Sequence, residues 1–135
     1  DRMMDIGTGS GILSIGALLL GAEEACAFDI DPVSVKVSAE NVALNQMQDR
    51  FKVTQGGLSD AYEGKFNIIC ANIVADVILA ILPEIEKYLA PGGVFITSGI
   101  IDFRGPEIIE AAEKLGYQIL RKEAKNNWLA FALEK

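Results

Sequence analysis

The chain has 135 residues, half of them hydrophobic, and a net charge of −7, which excludes a disordered protein and fits one compact domain. Histidine is absent, so histidine-based catalytic triads and zinc sites with histidine ligands are excluded. The acidic charge argues against direct nucleic-acid binding, and no apolar run reaches the roughly 18 residues of a membrane span, so we expect no nucleic-acid, membrane or metal partner.

The apolar residues in the first half of the chain change period repeatedly, as they do where strands and helices alternate. Three short apolar runs predict buried strands, a fourth short segment at residues 51–55 predicts a further strand, and two stretches between these segments predict helices. Asp31 and Pro32 supply an N-cap and a first-turn proline for the second helix. The predicted strands are residues 3–6, 25–29, 51–55 and 66–71, and the predicted helices are residues 12–20 and 32–45.

The second half of the chain continues this alternation and then ends in two strands. Helical spacing predicts a third helix from residue 74 to about residue 89, which Pro83 kinks or splits. Pro91, Gly92 and Gly93 predict a turn after it. The remaining elements are a strand at residues 94–98, a helix at 106–115, and strands at about 117–123 and 128–134 joined by a turn at 125–127.

The order of these elements predicts an α/β fold. The strands alternate with helices and are too apolar to face water, so we expect a mainly parallel sheet with helices on both faces. The last two strands leave no room for a crossover helix and must be antiparallel neighbours. An open sheet of this class binds its ligand beyond the carboxyl ends of the strands.

Gly7, Gly9 and Gly11 lie at such a carboxyl end, between the first strand and the first helix. Because they have no Cβ atom, a ligand can approach the backbone closely, and the helix amino end offers free N–H groups to an anion. The dinucleotide fingerprint would need a small residue at position 12, where this chain has isoleucine. No Lys-Ser/Thr pair follows the glycines, so a P-loop is excluded.

Asp29 ends the second strand, where a carboxylate can accept hydrogen bonds from both hydroxyls of a ribose. The alternative is that Asp29 and Asp31 merely end a strand and cap a helix. Given the glycines, we favour ribose binding for Asp29 and capping for Asp31.

The D-x-G-x-G-x-G motif of residues 5–11, followed by this acid, resembles the class I methyltransferases that use S-adenosylmethionine. Within them, DIGTGSGILSIGA, DIDPVSVKVSAENVALN, ANIVADVI, SGII and Trp128 are similar to the bacterial methyltransferases of large-subunit ribosomal protein eleven. The resemblance covers the whole chain. It implies a Rossmann-like three-layer sandwich whose seven-stranded, mostly parallel sheet has the order 3-2-1-4-5-7-6, with strand 7 antiparallel. It also implies a cytoplasmic enzyme that methylates lysine ε-amino groups and an α-amino group.

The same resemblance implies which residues bind the cofactor. Asp5, Thr8 and the glycine loop would hold its methionine end, and Asp29 its ribose. Ile30 would flank the adenine, and the loop after the third strand would lie by the adenine edge. Many relatives carry an acid at position 57, so adenine recognition here relies more on backbone groups. The implied set is Asp5, Gly7, Thr8, Gly9, Gly11, Asp29, Ile30, Gly57, Leu58 and Asn72.

Asn72 ends the fourth strand and, by this resemblance, faces the methyl-transfer point as the catalytic residue. Relatives that methylate nucleobase amines carry two prolines and an aromatic ring after this position. Here Ile73, Val74 and Ala75 offer no stacking surface, which favours an aliphatic amine substrate. The alternative role of Asn72 is to cap the helix that follows. Trp128 either lines the mouth of the site or packs in the core, and we favour the core.

The partner expected from this resemblance is a basic ribosomal protein, which suits the acidic charge. Cys26 and Cys70 lie in apolar runs and are expected to be structural thiols in a reducing compartment. The chain begins at Asp1, almost inside its first strand, so we expect residues 1–135 to be a fragment. The resemblance implies a separate amino-terminal domain that recognises the substrate, and we expect that domain to lie outside residues 1–135. We therefore expect this catalytic domain to bind cofactor and to methylate slowly alone.

Three alternatives remain open from the sequence. The first is a methyltransferase of a small molecule or an RNA. The second is a non-catalytic module that binds the cofactor or a nucleoside. The third is a nicotinamide enzyme, against which the isoleucine at position 12 already argues.

Overall fold

Seven strands and four α-helices alternate along the residues that the computed structural model describes, which are 1–58, 62 and 64–135. Short 3₁₀ turns at Gln48–Arg50 and Asp102–Arg104 lead into β3 and α4. The elements are β1 Arg2–Ile6, α1 Ile12–Leu19, β2 Glu24–Asp29, α2 Pro32–Leu44, β3 Phe51–Gln55, β4 Phe66–Asn72, α3 Ala75–Ile85, β5 Leu89–Ile101, α4 Gly105–Lys114, β6 Gln118–Lys125 and β7 Trp128–Glu134.

All seven strands form one sheet of order β3-β2-β1-β4-β5-β7-β6, which confirms the predicted order. Strands β1 to β5 are parallel, whereas β7 runs antiparallel to both β5 and β6. The carboxyl ends of the five parallel strands therefore meet at one edge of the sheet. Because β7 is antiparallel, its first residue, Trp128, pairs with Ile101 and lies at that same edge.

Most element ends follow the local signals in the sequence. The Asp31 side chain accepts a hydrogen bond of 2.9 Å from Val33 N and caps α2 as predicted. The β6–β7 hairpin turns through Asn126 and Asn127, whose φ angles of 50° and 69° are the positive values that a two-residue turn of type I′ requires.

The prediction for residues 74–93 was wrong in two places. Helix α3 is not split at Pro83 but continues through it to Ile85, and residues 86–88 form a turn rather than helix. The helix cannot continue because Leu89 pairs with Phe66 in the sheet. Residues 91–93 lie within β5 as a bulge, since β5 pairs with β4 on both sides of them, and the register shifts there.

The larger part of the core lies between the sheet and helices α3 and α4. On the opposite face, α1 packs through Leu18 against Met3, Ala25 and Cys70. Side chains from both strands and helices form the larger cluster, whose biggest fully buried members include Phe28, Phe66, Phe95, Phe131, Met4, Ile69, Ile78, Leu82, Ile85, Ile100 and Ile108. Helices thus pack on both faces, as the alternation predicted.

Cys26 and Cys70 are buried and unbridged, in agreement with their predicted structural role. Burial raises the pKa of the Cys26 thiol to about 11 and that of the Cys70 thiol to about 12. Both therefore stay protonated at neutral pH, and neither has the thiolate character of a nucleophile. Within the described ranges, no helix combines the length and the apolar character that crossing a bilayer demands.

Neighbouring positions on β5 test which face of the sheet carries the core. Phe95 is fully buried, whereas Ile96 points to the α1 face and is 39% exposed. We expect Phe95→Ala to lower the free energy of unfolding by about 3–5 kcal/mol, because it leaves a cavity. Ile96→Ala is expected to cost about 1 kcal/mol, mainly lost strand propensity. Urea unfolding of both variants measures the difference, and equal losses would contradict this assignment of faces.

Candidate functional site

The predicted site residues lie at the carboxyl edge of the sheet, on strands that are neighbours in space. Because the strand order is β3-β2-β1-β4, the segments that follow these strands are adjacent along the edge. The residues brought there are Asp5 near the end of β1, the loop of Gly7, Thr8, Gly9 and Gly11 after it, Asp29 and Ile30 at the end of β2, Gly57 and Leu58 after β3, and Asn72 at the end of β4.

The loop after β1 has a backbone that only glycine adopts easily. Gly7, Gly9 and Gly11 have φ angles of 75°, 57° and 86°, all in the left-handed region. The backbone N–H groups of Gly7 and Thr8 both donate to Phe28 O, at 2.9 and 3.0 Å, and so attach the loop to β2.

The three glycines differ in what surrounds them. A Cβ atom on Gly7 would lie 2.8 Å from Ile73 Cγ2, and one on Gly11 would lie 3.1 Å from Ser38 Cβ. Gly7 therefore allows the loop to pass the end of β4, and Gly11 allows α2 to pack closely. At Gly9 nothing described lies within 4 Å of such a Cβ atom, so its face of the loop opens onto free space.

Asp5 is buried beneath this loop and holds it from below. Its Oδ2 accepts hydrogen bonds from Thr8 Oγ1 at 2.8 Å and from Ser14 Oγ at 3.1 Å, which ties the loop to α1. Burial raises the pKa of Asp5, the two hydroxyl donors oppose that rise, and the charge of Asp29 adds to it. Oδ1 of Asp5 is buried without a partner among the described residues, so one acceptor beneath the loop remains unused.

Asp29 holds the same loop from the side. Its Oδ2 accepts from Gly9 N at 2.9 Å, and its Oδ1 accepts from Asp31 N at 3.0 Å. Its backbone oxygen accepts from Gly56 N at 2.8 Å, so the loop after β3 is attached to the same residue. Each carboxylate oxygen retains capacity for a further donor. Asp29 thus joins three loops at the edge of the sheet.

The residues expected near an adenine ring are partly exposed. Ile30, which follows Asp29, is 79% exposed and presents an apolar surface. Leu58 is half-buried and packs against the main core, while a Cβ atom on Gly57 would meet no described atom within 4 Å. The edge beyond Asp29 is therefore apolar and open.

Asn72 does not cap a helix, so the alternative considered for it was wrong. Helix α3 begins at Ala75 with Val74 as its N-cap, and no side chain caps it. Asn72 is exposed at the end of β4 and pairs with Ser98 of β5. Its backbone oxygen lies 4.0 Å from the Cβ position of Gly7, so it is a direct neighbour of the glycine loop.

The expectation that Trp128 packs in the core was also wrong, because its side chain is 54% exposed. The strand period explains this: Leu129, Phe131 and Leu133 alternate inward along β7 and are buried, which turns Trp128 outward. Trp128 lies at the carboxyl edge, beside the end of β5.

Sequence reasoning missed four residues that shape this edge. Ser14 is a polar residue on the inward side of an apolar helix, and that contrast was the available signal. Ser38 is likewise buried in α2, where it meets Gly11. Ile73 and Gly99 were noted only within motifs, and their contacts with Gly7 and Asn72 were missed because they join distant parts of the chain and leave no local pattern.

An apolar groove of about 450 Å³ lies elsewhere, between α1 and the α1 face of β4 and β5. Ile12, Leu13, Ile68 and Ile96 contribute to its walls, and no predicted site residue does. The groove is therefore separate from the edge described above. Across the described ranges, no three His, Cys, Asp or Glu side chains come together as a metal site would require.

Comparison with known proteins gives consistent matches over the chain. The family "Ribosomal protein L11 methyltransferase (PrmA)" matches residues 1–135. A protein of that name from Desulforamulus reducens is 44% identical over 131 residues, which are 97% of this chain and 42% of that protein. The one from Bacillus subtilis is 42% identical over 135 residues, which are 100% of this chain and 43% of that protein.

A solved structure agrees with these matches. The crystal structure of a ribosomal protein L11 methylase from Lactobacillus delbrueckii subsp. bulgaricus superposes with a TM-score of 0.94 at 35% identity. The match covers 99% of this chain and 69% of that one. The chain spans less than half the length of the two relatives described above.

The Ser14 hydroxyl offers a test of how Asp5 holds the loop. We expect Ser14→Ala to lower the free energy of unfolding by about 1.5–3 kcal/mol at neutral pH, because a buried carboxylate loses a donor. The donor favours the ionised form and so lowers the pKa of Asp5. The loss is therefore full above that pKa and shrinks as the pH falls through it.

Urea unfolding as a function of pH measures this effect. Ser10→Ala is the matched control, because Ser10 is exposed in the same loop. A loss that did not change with pH, or one that the control shared, would contradict a role for Ser14 through Asp5.

Proposed function

The chain belongs to the ribosomal protein L11 methyltransferase family, and from that premise we propose that it transfers methyl groups from S-adenosylmethionine to amino groups of that ribosomal protein. The amino groups proposed are lysine ε-amines and an α-amine. The observation that carries the proposal is the open glycine loop, held between Asp5 and Asp29 and bordered by Asn72.

The residues present fit S-adenosylmethionine. Gly9 leaves the space that a Cβ atom would fill, so a ligand can lie against the backbone there. Oδ1 of Asp5 is a buried acceptor without a partner among the described residues, which suits the cationic methionine end. The spare acceptor capacity of Asp29 suits the two ribose hydroxyls. When bound, the sulfonium supplies an electrophilic methyl group, so the cofactor carries the difficult chemistry.

The remaining residues of the proposed cofactor site contribute apolar side chains or backbone groups. Ile30 and Leu58 would flank the adenine, and Gly57 leaves its backbone accessible to the ring edge. Gly7, Thr8 and Gly11 give the loop its shape. Asp5 and Asp29 hold that shape before any ligand arrives, which lowers the entropy lost on binding.

Asn72 is the proposed catalytic residue. Its amide oxygen would accept a hydrogen bond from the substrate amine and orient the nitrogen towards the methyl group. Positioning of this kind can contribute about 7–11 kcal/mol of the barrier without a covalent intermediate. The amine must be neutral to react, although a free lysine has a pKa of about 10.4. The exposed apolar side chains of Val74 and Val77 follow Asn72, and desolvation against them would lower that pKa.

The surface near Asn72 favours an aliphatic amine over a base. Ile73 and Val74 provide no aromatic ring on which an extruded nucleobase could stack. Trp128 lies at the same edge but on β7, beyond β5 and three strands from β1. We propose that its exposed ring lines the mouth through which the substrate amine enters.

We propose a basic ribosomal protein as the partner, which also implies a cytoplasmic location. The net charge of −7 would attract such a protein and raise the rate of encounter. We further propose that residues 1–135 form the catalytic domain, and that the longer chains of the family carry substrate-recognition residues outside this span.

Gly9→Ala tests the proposed cofactor site. The added Cβ atom enters the space in which the ligand would lie, so we expect the Kd for S-adenosylmethionine to rise at least about tenfold. Gly92→Ala is the matched control, because Gly92 also has a positive φ, of 76°, and open surroundings, but lies at the other edge of the sheet.

Thermal unfolding with added ligand measures this affinity. S-adenosylmethionine at 100 times its Kd should stabilise the unaltered chain by about 2.7 kcal/mol. NAD at the same concentration should not stabilise it. Equal affinity in Gly9→Ala and Gly92→Ala, or stabilisation by NAD alone, would overturn the proposed cofactor site.

Asn72→Ala tests the proposed reaction. Because the oxygen that orients the amine is lost, we expect the rate of methyl transfer to fall at least about 100-fold while the Kd for S-adenosylmethionine stays unchanged. Labelled S-adenosylmethionine is incubated with ribosomal protein L11, bulk RNA or small amines in parallel. Label in RNA or in small amines but not in L11 would replace the proposed substrate. Label in none of them would favour a module that only binds the cofactor.

A further inference from the structure

Gly99 lies beside the Asn72 side chain on the neighbouring strand. Strands β4 and β5 are parallel there, and Asn72 pairs with Ser98, the residue before Gly99. A Cβ atom on Gly99 would lie 2.5 Å from Asn72 Oδ1 and 3.6 Å from Asn72 Cγ. The end of the Asn72 side chain therefore occupies space that exists only because residue 99 has no side chain.

The backbone of Gly99 is unusual as well. Its φ is 76°, and it lies where the pairing of β5 with β7 shifts register, between Thr97 and Ile100. Bulges of this kind often redirect a strand next to an active site. Here the bulge turns the bare backbone of Gly99 towards the carboxyl end of β4.

The Asn72 side chain has no hydrogen-bond partner among the described residues that would fix its rotamer. Its side chain is exposed, and no hydrogen bond to another described residue holds its amide. Helix α3 begins at Ala75 with Val74 as its N-cap, and the Asn72 side chain does not cap it. The position of the amide oxygen is therefore set by which rotamers the neighbouring backbone allows.

We propose that Gly99 is a positioning residue for methyl transfer, because its missing side chain makes room for the Asn72 amide oxygen at the reacting edge. The inference rests on the proposed catalytic role of Asn72. Any side chain at position 99 excludes the observed rotamer. The amide oxygen then has to move by about 1 Å to reach an ordinary contact distance.

This movement changes the position of the Asn72 amide oxygen but has little effect on the stability of the fold. Oδ1 is the free end of an exposed side chain, so Asn72 can rotate away while both strands keep their pairing. Catalysis tolerates the movement far less than the fold does, since a misplacement of about 1 Å can lower a rate about 100-fold.

Replacing Gly99 has two consequences, an unfavourable backbone angle and a contact with Asn72, and Gly92→Ala is the control for the first. Both glycines lie in β5 and both have a φ of 76°, so an alanine takes an unfavourable left-handed φ at either position. A Cβ atom on Gly92 meets nothing described within 4 Å, whereas one on Gly99 meets Asn72. Gly92→Ala therefore controls for the unfavourable φ, and the Asn72→Ala background shows whether the remaining effect of Gly99→Ala comes from the contact with Asn72.

The experiment compares Gly99→Ala, Gly92→Ala, Asn72→Ala and the double variant Asn72→Ala/Gly99→Ala. Single-turnover transfer from labelled S-adenosylmethionine to ribosomal protein L11 is measured with the enzyme in excess, together with the Kd for the cofactor. Gly99→Ala should lower the rate constant about 10- to 100-fold with an unchanged Kd, while Gly92→Ala keeps the rate. In the Asn72→Ala background, Gly99→Ala should cause no further loss.

The outcomes distinguish this inference from the proposed function. If Asn72→Ala is inactive but Gly99→Ala transfers methyl groups as fast as Gly92→Ala, the positioning role is overturned and the function stands. A further loss in the double variant also overturns it, because Gly99 would then act independently of Asn72. If Asn72→Ala keeps full activity, both the proposed catalytic residue and this inference are wrong.

The unaltered chain supplies a measurement that does not depend on a variant's folding. With S-adenosylmethionine bound, NMR couplings of the Asn72 β protons should show one dominant χ1 rotamer, with nuclear Overhauser contacts to the Gly99 α protons. Rotamer averaging without those contacts would overturn the proposal.

Discussion

The site depends on one arrangement, in which two carboxylates from neighbouring strands fix the glycine loop after β1. The loop itself has few side chains that could fix it. Asp5 reaches it from beneath through Thr8, and Asp29 reaches it from the side through Gly9 N. The left-handed backbone at Gly7, Gly9 and Gly11 would be mobile without such anchors, because glycine loses the most conformational freedom on folding. These hydrogen bonds to charged groups are the strong kind, and they keep the free N–H groups and the open face of the loop directed to one side.

The burial of Asp5 opposes stability and serves this arrangement. Desolvation raises its pKa, and one of its oxygens has no partner among the described residues. A core optimised for stability alone would hold an apolar residue there, since replacing a buried polar group with a packed apolar one is often neutral or favourable. A carboxylate at this position instead fixes the loop and leaves an acceptor beneath it. Burying a charged group at a cost in stability is a departure from ordinary core packing that is expected at a functional site.

Most of the fold could be predicted from the sequence because its signals are local. The alternation of apolar runs, the Asp31-Pro32 helix start and the glycine after α4 each act within a few residues. The wrong predictions concern residues whose state depends on strand pairing or strand period rather than on residue type. Leu89 begins a strand because Phe66 pairs with it, and Trp128 is exposed because its neighbours on β7 take the inward positions. The glycine loop and Asp29 were recognisable from spacing, whereas Ser14, Ile73 and Gly99 have roles only in three dimensions.

The glycines at this edge share a physical role that spacing alone does not reveal. The space that a Cβ atom would fill is occupied by Ile73 at Gly7, by Ser38 of α2 at Gly11 and by Asn72 at Gly99. At Gly9 that space is empty. At three of these glycines the protein itself fills the space, and these contacts pack β1, α2, β4 and β5 closely together at this edge. The fourth space is not filled, and it lies beside the carboxylate of Asp29, which accepts from Gly9 N. A ligand that fills it would complete a packing pattern that the other three glycines have already set.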